Sequence, residues 1–110
     1  MLGLRPEGGL FMPQLATQPE IESFLERNVN WSRHESALIS EFTAPSFLTA
    51  IDFVNTVAVI AERLDHHPDI DIRWNKVIFA LSTHSAGGIT ALDFELAKAI
   101  DAASGKLLEG

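Results

Sequence analysis

The stretch Ile70-Asp71-Ile72-Arg73-Trp74-Asn75-Lys76-Val77-Ile78-Phe79-Ala80-Leu81-Ser82-Thr83-His84 decides the fold. Ile70, Ile72 and Trp74 alternate with Asp71 and Arg73. Val77, Phe79, Leu81 and Thr83 alternate with Ile78, Ala80, Ser82 and His84. Successive side chains of a strand point to opposite faces, so both runs carry the period of β-structure. With Asn75-Lys76 between them, they predict a hairpin with one apolar face. A two-residue Asn75-Lys76 loop sets Trp74 opposite Val77, Ile72 opposite Phe79 and Ile70 opposite Leu81. Continued outward, this register brings His67 opposite His84, on the face away from the apolar layer. Directly opposed residues hold their Cβ atoms roughly 4.5–5.5 Å apart. Pro68 cannot donate to the ladder and can end the pairing early.

On the N-terminal side of the hairpin, residues 45–64 follow helical spacing. Phe47, Ile51, Val54, Ala58 and Ala61 form one apolar stripe, and Phe53, Val57, Ile60 and Leu64 form a second beside it. That arc is broader than contact with one sheet requires, so the helix is either the centre of the core or partly covered by another subunit. Further upstream, Trp31–His34 and Ala37–Thr43 read as strands around a Glu35-Ser36 turn, with Leu38, Ser40 and Phe42 on one face. Thr17-Gln18-Pro19-Glu20 has the form of a capping box and opens a short helix over about residues 18–28. On the other side, Gly87-Gly88 breaks the chain. Thr90-Ala91-Leu92-Asp93 then opens a last helix, with Leu92, Leu96, Ile100 and Ala103 on one face and Gly105 as its stop.

The order is α-β-β-α-β-β-α. It predicts an α+β fold: a four-stranded antiparallel sheet with three helices packed on one face. Residues 17–105 form the single expected domain. Residues 1–16, rich in Gly and Pro, read as a flexible arm, and 106–110 as a tail. The chain of 110 residues with 46% hydrophobic content can build one core, but a domain so small buries only a modest share of its surface, which favours a homo-oligomer. A net charge of −7 argues against a nucleic-acid surface, which needs a basic patch, and against docking on anionic lipid. No run reaches the roughly 18 apolar residues of a membrane span. The absence of cysteine excludes disulfides, thiolate metal sites and a cysteine nucleophile, and fits a reducing cytoplasm.

The chemistry rests on histidine, the side chain best matched to proton transfer near neutral pH. His66, His67 and His84 converge if the hairpin forms, whereas His34 has no partner at a telling spacing and reads as a surface residue. Three readings of the cluster stand: acid–base work on a small polar ligand, loop capping, or metal binding. The third is disfavoured by the missing thiolates and by the absence of paired histidines at helical spacing. Asp65 and Glu62, the latter one turn before His66, can each orient an imidazole or simply be solvated. Asp93 caps the last helix and can still accept a bond from a histidine. Trp31 and Trp74 read as core or interface residues.

Glu62, His66-His67-Pro68, Trp74, His84 and Asp93, at their spacings, resemble the signature of the pterin-4a-carbinolamine dehydratases. The words AERLDHHPDI, WNKVIFALSTH and GGITALDFELA are similar as well, and the resemblance runs from about Ile21 to Ile100. It implies the α+β fold already read. The implied reaction is dehydration of 4a-hydroxytetrahydrobiopterin, or a related pterin, to the quinonoid dihydropterin, in support of aromatic amino-acid hydroxylases and without metal or organic cofactor. By position it implies His66 and His84 as acid and base, His67 as a pterin-placing residue and Asp93 as support for the cluster. Asp65, His66 and His67, with Ser82, Thr83, His84 and Ser85, are implied as contacts to the pterin edge. The segment Ser85-Ala86-Gly87-Gly88 departs from the acidic or polar residue that many relatives carry after His84. Some relatives bind a transcription-factor dimerisation region and others assist enzyme assembly, so a non-catalytic interaction protein is the alternative. Neither His66 nor His84 lies in an apolar stripe, so replacing either is expected to cost no more than an ordinary surface change.

Overall fold

The computed structural model describes residues 13–108. Helix α1 spans Gln18–Arg27, strands β1 and β2 span Ser32–His34 and Ala37–Thr43, and helix α2 spans Phe47–Leu64. Strands β3 and β4 span Asp69–Arg73 and Lys76–Leu81, and helix α3 spans Ala91–Leu107. The α-β-β-α-β-β-α order is as the sequence predicts. The sheet is antiparallel throughout, in the order β1-β2-β4-β3.

The two central strands carry the core face. Leu38 pairs with Leu81, Ser40 with Phe79 and Phe42 with Val77, and all six side chains are buried. Ser40 is the polar member, and its hydroxyl donates to the Asn30 carbonyl at 2.7 Å. Ala50, Phe53, Val57 and Ala61 of α2 and Leu96, Ala97, Ile100 and Ala103 of α3 are buried with it. Phe42, Phe53 and Phe79 meet edge to face with ring centroids 5.3–5.9 Å apart, a favourable geometry for aromatic quadrupoles. Helix α1 joins through Phe24, stacked on Phe94 at 4.5 Å. Its start is held by the expected capping box between Thr17 and Glu20. Trp31 is buried and donates its indole N–H to the Asp101 carboxylate at 3.1 Å. Burial pushes that carboxyl above its usual range, against the opposing effect of the indole bond.

The β3–β4 register differs from the sequence expectation. Arg73 faces Lys76, Ile72 faces Val77 and Ile70 faces Phe79, so the loop is Trp74-Asn75 rather than Asn75-Lys76. Trp74 takes the left-handed conformation at φ 57° and is 68% exposed instead of ending the apolar face. The register is pinned from outside the hairpin: Asn75 donates from Nδ2 to the Ala44 carbonyl at 2.9 Å, and Ala44 N–H donates back to the Asn75 carbonyl at 2.8 Å. A slip of two residues leaves the paired side chains on their predicted faces and changes their partners; only Trp74, now in the loop, leaves its face. Pairing stops at Asp69, directly after Pro68, so His67 does not lie opposite His84.

Of the two stripes on α2, the one through Phe53 and Val57 faces the core. Phe47 and Ala58 of the other are exposed, as are Leu48 and Val59. Of the expected N-terminal arm, most lies outside the described residues; within them, Leu15 bridges to Thr90 and Ala16 N–H donates to the Ile89 carbonyl. Among the described residues no helix is long and apolar enough to cross a membrane.

Gly105 does not stop α3, which runs on to Leu107. Leu107 and Leu108 pack against the core, and that burial outweighs the weak helix propensity of glycine. No left-handed φ occurs at Gly105, and a Cβ there would meet nothing within 4 Å. Gly105→Ala should therefore raise stability, by about 0.5–1 kcal/mol, measured by urea denaturation. A loss of stability would mean that Gly105 ends the helix after all.

Candidate active site

The chain leaves α2 through a Schellman turn. Asp65 adopts a left-handed conformation, φ 51° and ψ 44°, and its N–H donates back to Glu62 and Ala61. The next N–H, of His66, donates to the Ala61 carbonyl at 3.0 Å. This pattern satisfies the last carbonyls of a helix. Asp65 thus has a backbone reason for its place: an acidic residue against the helix dipole is tolerated because Asp reaches the left-handed region more easily than most residues.

The reversal turns His66 inward and His67 outward. The His66 residue is 8% exposed, and its Nε2 lies 2.6 Å from Oδ1 of Asp93. Glu62 does not reach His66, the residue one turn on; its Oε2 lies 2.6 Å from Nε2 of the exposed His67. The helix has ended between them, so helical spacing no longer says which side chains meet.

Asp93 sits at N3 of α3 and has no exposed surface. Its Oδ2 accepts the Thr90 backbone N–H at 2.9 Å, completing the predicted capping box, and the Thr83 hydroxyl at 2.9 Å. Thr83 and Thr90 share a further hydroxyl contact of 2.7 Å. Backbone donors at a helix start favour a carboxylate there, and a buried charge is tolerable only when hydrogen-bonded. An ionised carboxylate only accepts. Facing an ionised carboxylate, His66 Nε2 is the donor, and a neutral ring in that position keeps its lone pair on Nδ1.

His84 follows Thr83 directly and opens the short 3-10 turn His84–Ala86. The turn hangs from Thr83, whose carbonyl accepts from Ala86, Gly87 and Gly88 and whose N–H donates to the Gly88 carbonyl at 2.8 Å. Gly87 closes it in the left-handed region at φ 79°, which glycine adopts without cost. His84 and Ser85 are exposed. Two hydrogen bonds, His66 to Asp93 and Asp93 to Thr83, and one peptide bond therefore tie His66 to His84.

Two other expected contact residues have hydroxyls engaged within the protein. Ser82 donates to the Ser36 carbonyl at 2.8 Å, and the Thr83 hydroxyl points at Asp93. Ser82 therefore has its backbone groups rather than its hydroxyl to offer a ligand, whereas the hydroxyl, N–H and carbonyl of Thr83 are all engaged within the protein. His34 is exposed, as expected, with Nε2 3.9 Å from Glu35. Sequence reasoning missed the Thr83 link. The capping box made Thr90 with Asp93 legible, but a bond from the end of β4 to α3 has no local signal.

A family model described as pterin 4 alpha carbinolamine dehydratase matches residues 14–103. A relative from Roseiflexus castenholzii, whose name assigns it provisionally to these dehydratases, is 50% identical over 90 residues, covering 82% of this chain and 97% of its own. A similarly named relative from Mycobacteroides abscessus is 47% identical over 92 residues, covering 84% and 98%. A Brucella melitensis structure, described as a transcriptional coactivator/pterin dehydratase, superposes with a TM-score of 0.81 at 33% identity, over 84% of this chain and all of that one. A pterin dehydratase-like protein described as a RuBisCO assembly factor of the alpha-carboxysome shares the fold, with a TM-score of 0.57 at 21% identity, over 68% of this chain and 87% of that one.

The burial of His66 corrects the expectation of a neutral substitution there. His66→Ala removes a donor from a carboxylate without access to water, and should cost about 1–3 kcal/mol. His84→Ala, at an exposed position, should stay within about 0.5 kcal/mol of wild type. Chemical denaturation of both variants checks the contrast; equal effects would mean that the His66–Asp93 bond contributes nothing net.

Proposed function

The chain belongs to the pterin 4 alpha carbinolamine dehydratase family, and from that premise we propose that it dehydrates a 4a-hydroxytetrahydropterin, 4a-hydroxytetrahydrobiopterin or a close relative, with His66 and His84 as acid and base. One observation supports this above the others: a 2.6 Å His66–Asp93 pair is buried beside the turn that presents His84. A buried ionisable pair gives little net stability compared with well-packed apolar residues. Its presence in so small a core favours a chemical use.

In the proposed reaction the C4a–O bond breaks. The departing hydroxyl takes a proton from one imidazole and leaves as water, while the other imidazole takes the proton from N5 as the C4a–N5 double bond forms. No net proton is consumed. Asp93 holds the His66 ring and its Nε2 proton, so His66 works through Nδ1. Each acid–base contribution is worth about 10²–10⁴-fold. His67 helps to hold the pterin, with Glu62 orienting its ring. Asp65, Ser82, His84 and Ser85 supply the remaining contacts, Ser82 through its backbone because its hydroxyl is engaged, and Thr83, bonded throughout within the protein, supports them from behind. The proposal also includes a cytoplasmic location, a role in recycling the pterin of aromatic amino-acid hydroxylases, and a homo-oligomer that covers the exposed apolar residues of α2.

The second reading is a non-catalytic role on another protein. The double description of the Brucella structure is what favours it. A dehydration assay with synthetic 4a-hydroxytetrahydropterin separates the two. The wild-type protein should accelerate water loss, and chelator should leave the rate unchanged. His66→Ala and His84→Ala should each lower turnover by about two orders of magnitude or more, with His34→Ala as the unaffected control. His67→Ala should weaken pterin binding as well. An inactive wild type favours the second reading, and full activity in both folded histidine variants overturns the acid–base assignment. Light scattering at micromolar concentration should give a dimer or tetramer; a monomer mass would remove the oligomer from the proposal.

A further inference from the structure

Thr83 stands between the two histidines of the proposed reaction, and its side chain is spent inside the protein. The residue is 4% exposed. Its hydroxyl lies 2.9 Å from Asp93 Oδ2 and 2.7 Å from the Thr90 hydroxyl. Each hydroxyl has a single proton and Asp93 accepts only. With Asp93 ionised the direction of the chain follows: Thr90 donates to Thr83, Thr83 donates to Asp93 Oδ2, and His66 Nε2–H donates to Asp93 Oδ1. Meanwhile the Thr83 backbone holds both ends of the turn that starts at His84, accepting from Ala86, Gly87 and Gly88 and donating to Gly88.

We propose that Thr83 is a positioning residue that sets both histidines at once: through its hydroxyl it locks the Asp93 carboxylate and hence the ring and tautomer of His66, and through its backbone it fixes the turn presenting His84. This deepens the dehydratase reading and rests on it for the rate effects below. The physical reasoning is rotational. With Oδ2 tied by two donors, one from the α3 cap and one from the segment just after β4, the carboxylate plane cannot turn, and Oδ1 stays aimed at His66. With the Thr83 donor removed, only the Thr90 N–H holds Oδ2. The carboxylate can then rotate, and the preference of His66 for a proton on Nε2 relaxes. Either hydroxyl-bearing residue satisfies this role, whereas valine matches the shape of threonine without the donor.

The test compares Thr83→Val, Thr83→Ser and wild type, by dehydration kinetics and by ¹⁵N NMR of the imidazoles. In wild-type protein the neutral His66 ring should show one tautomer, protonated at Nε2. Thr83→Val should lower kcat by about 10-fold or more, with KM changed far less, on the scale of a partly lost acid–base contribution, and should give mixed His66 tautomers. Thr83→Ser should restore most of the rate and the single tautomer. Should Thr83→Val fail to fold, Thr83→Ala, which only subtracts atoms, takes its place with the same expectation. A folded Thr83→Val with wild-type kcat and a single tautomer overturns the proposal. So does an equal loss in Thr83→Val and Thr83→Ser, which would show that keeping the hydroxyl preserves nothing and that the effect lies in the packing of the whole side chain. A wild-type protein without dehydratase activity overturns the proposed function instead; the tautomer comparison then decides the positioning role by itself.

Discussion

A carboxylate with no exposed surface organises this molecule. Asp93 is acceptable in the core because three donors converge on it. They come from three places in the chain: the cap of α3, the end of β4 and the turn after α2. Leaving a buried group unmet costs about 1–3 kcal/mol, more if it is charged, which is a large fraction of the stability of a small domain. The register of β4, the start of α3 and the stop of α2 must therefore all be correct together. The same condition assembles the candidate site, because the residue bonded to Asp93 from α2 is His66 and the one bonded from β4 precedes His84.

What the sequence disclosed follows from which signals are local. Period-two alternation at Val77, Phe79 and Leu81 and helical spacing at Phe53 and Val57 mark buried faces without knowledge of partners, and these faces are correct. The capping boxes at Thr17 and Thr90 are contacts three residues apart and were equally legible. Register was not. It hinges on Trp74 adopting a left-handed conformation that a bulky residue rarely takes, and on Asn75 being held by Ala44, 31 residues away. Gly105 carried a stop signal that the burial of Leu107 and Leu108 overrode. The site was legible in its members and not in its wiring. The sequence marks Asp93 as both a cap and a histidine partner, but nothing local chooses the partner among His66, His67 and His84. The left-handed turn at Asp65 makes the choice by sending adjacent histidines to opposite sides.

The fold by itself does not establish the chemistry, since unrelated functions share folds. A solved protein with this architecture is described as an assembly factor. What separates the readings is the small set of polar groups at one end of the sheet. An interaction surface needs exposed side chains and has no use for an imidazole buried against a carboxylate. An acid–base catalyst needs a ring held in one orientation, with one nitrogen free. The buried His66–Asp93–Thr83 arrangement, with His84 exposed beyond Thr83, is what supports the acid–base proposal.

A reduced pterin bound between His66 and His84, as proposed, would be seen in a crystal structure with an unreactive dihydropterin. The C4a–N5 edge of the ring should lie within hydrogen-bond reach, roughly 2.6–3.2 Å directly or through one water, of the His66 and His84 imidazoles, with the His66–Asp93 bond intact. A pterin bound elsewhere, or a pterin at this site with His66 turned away from it, would contradict the account.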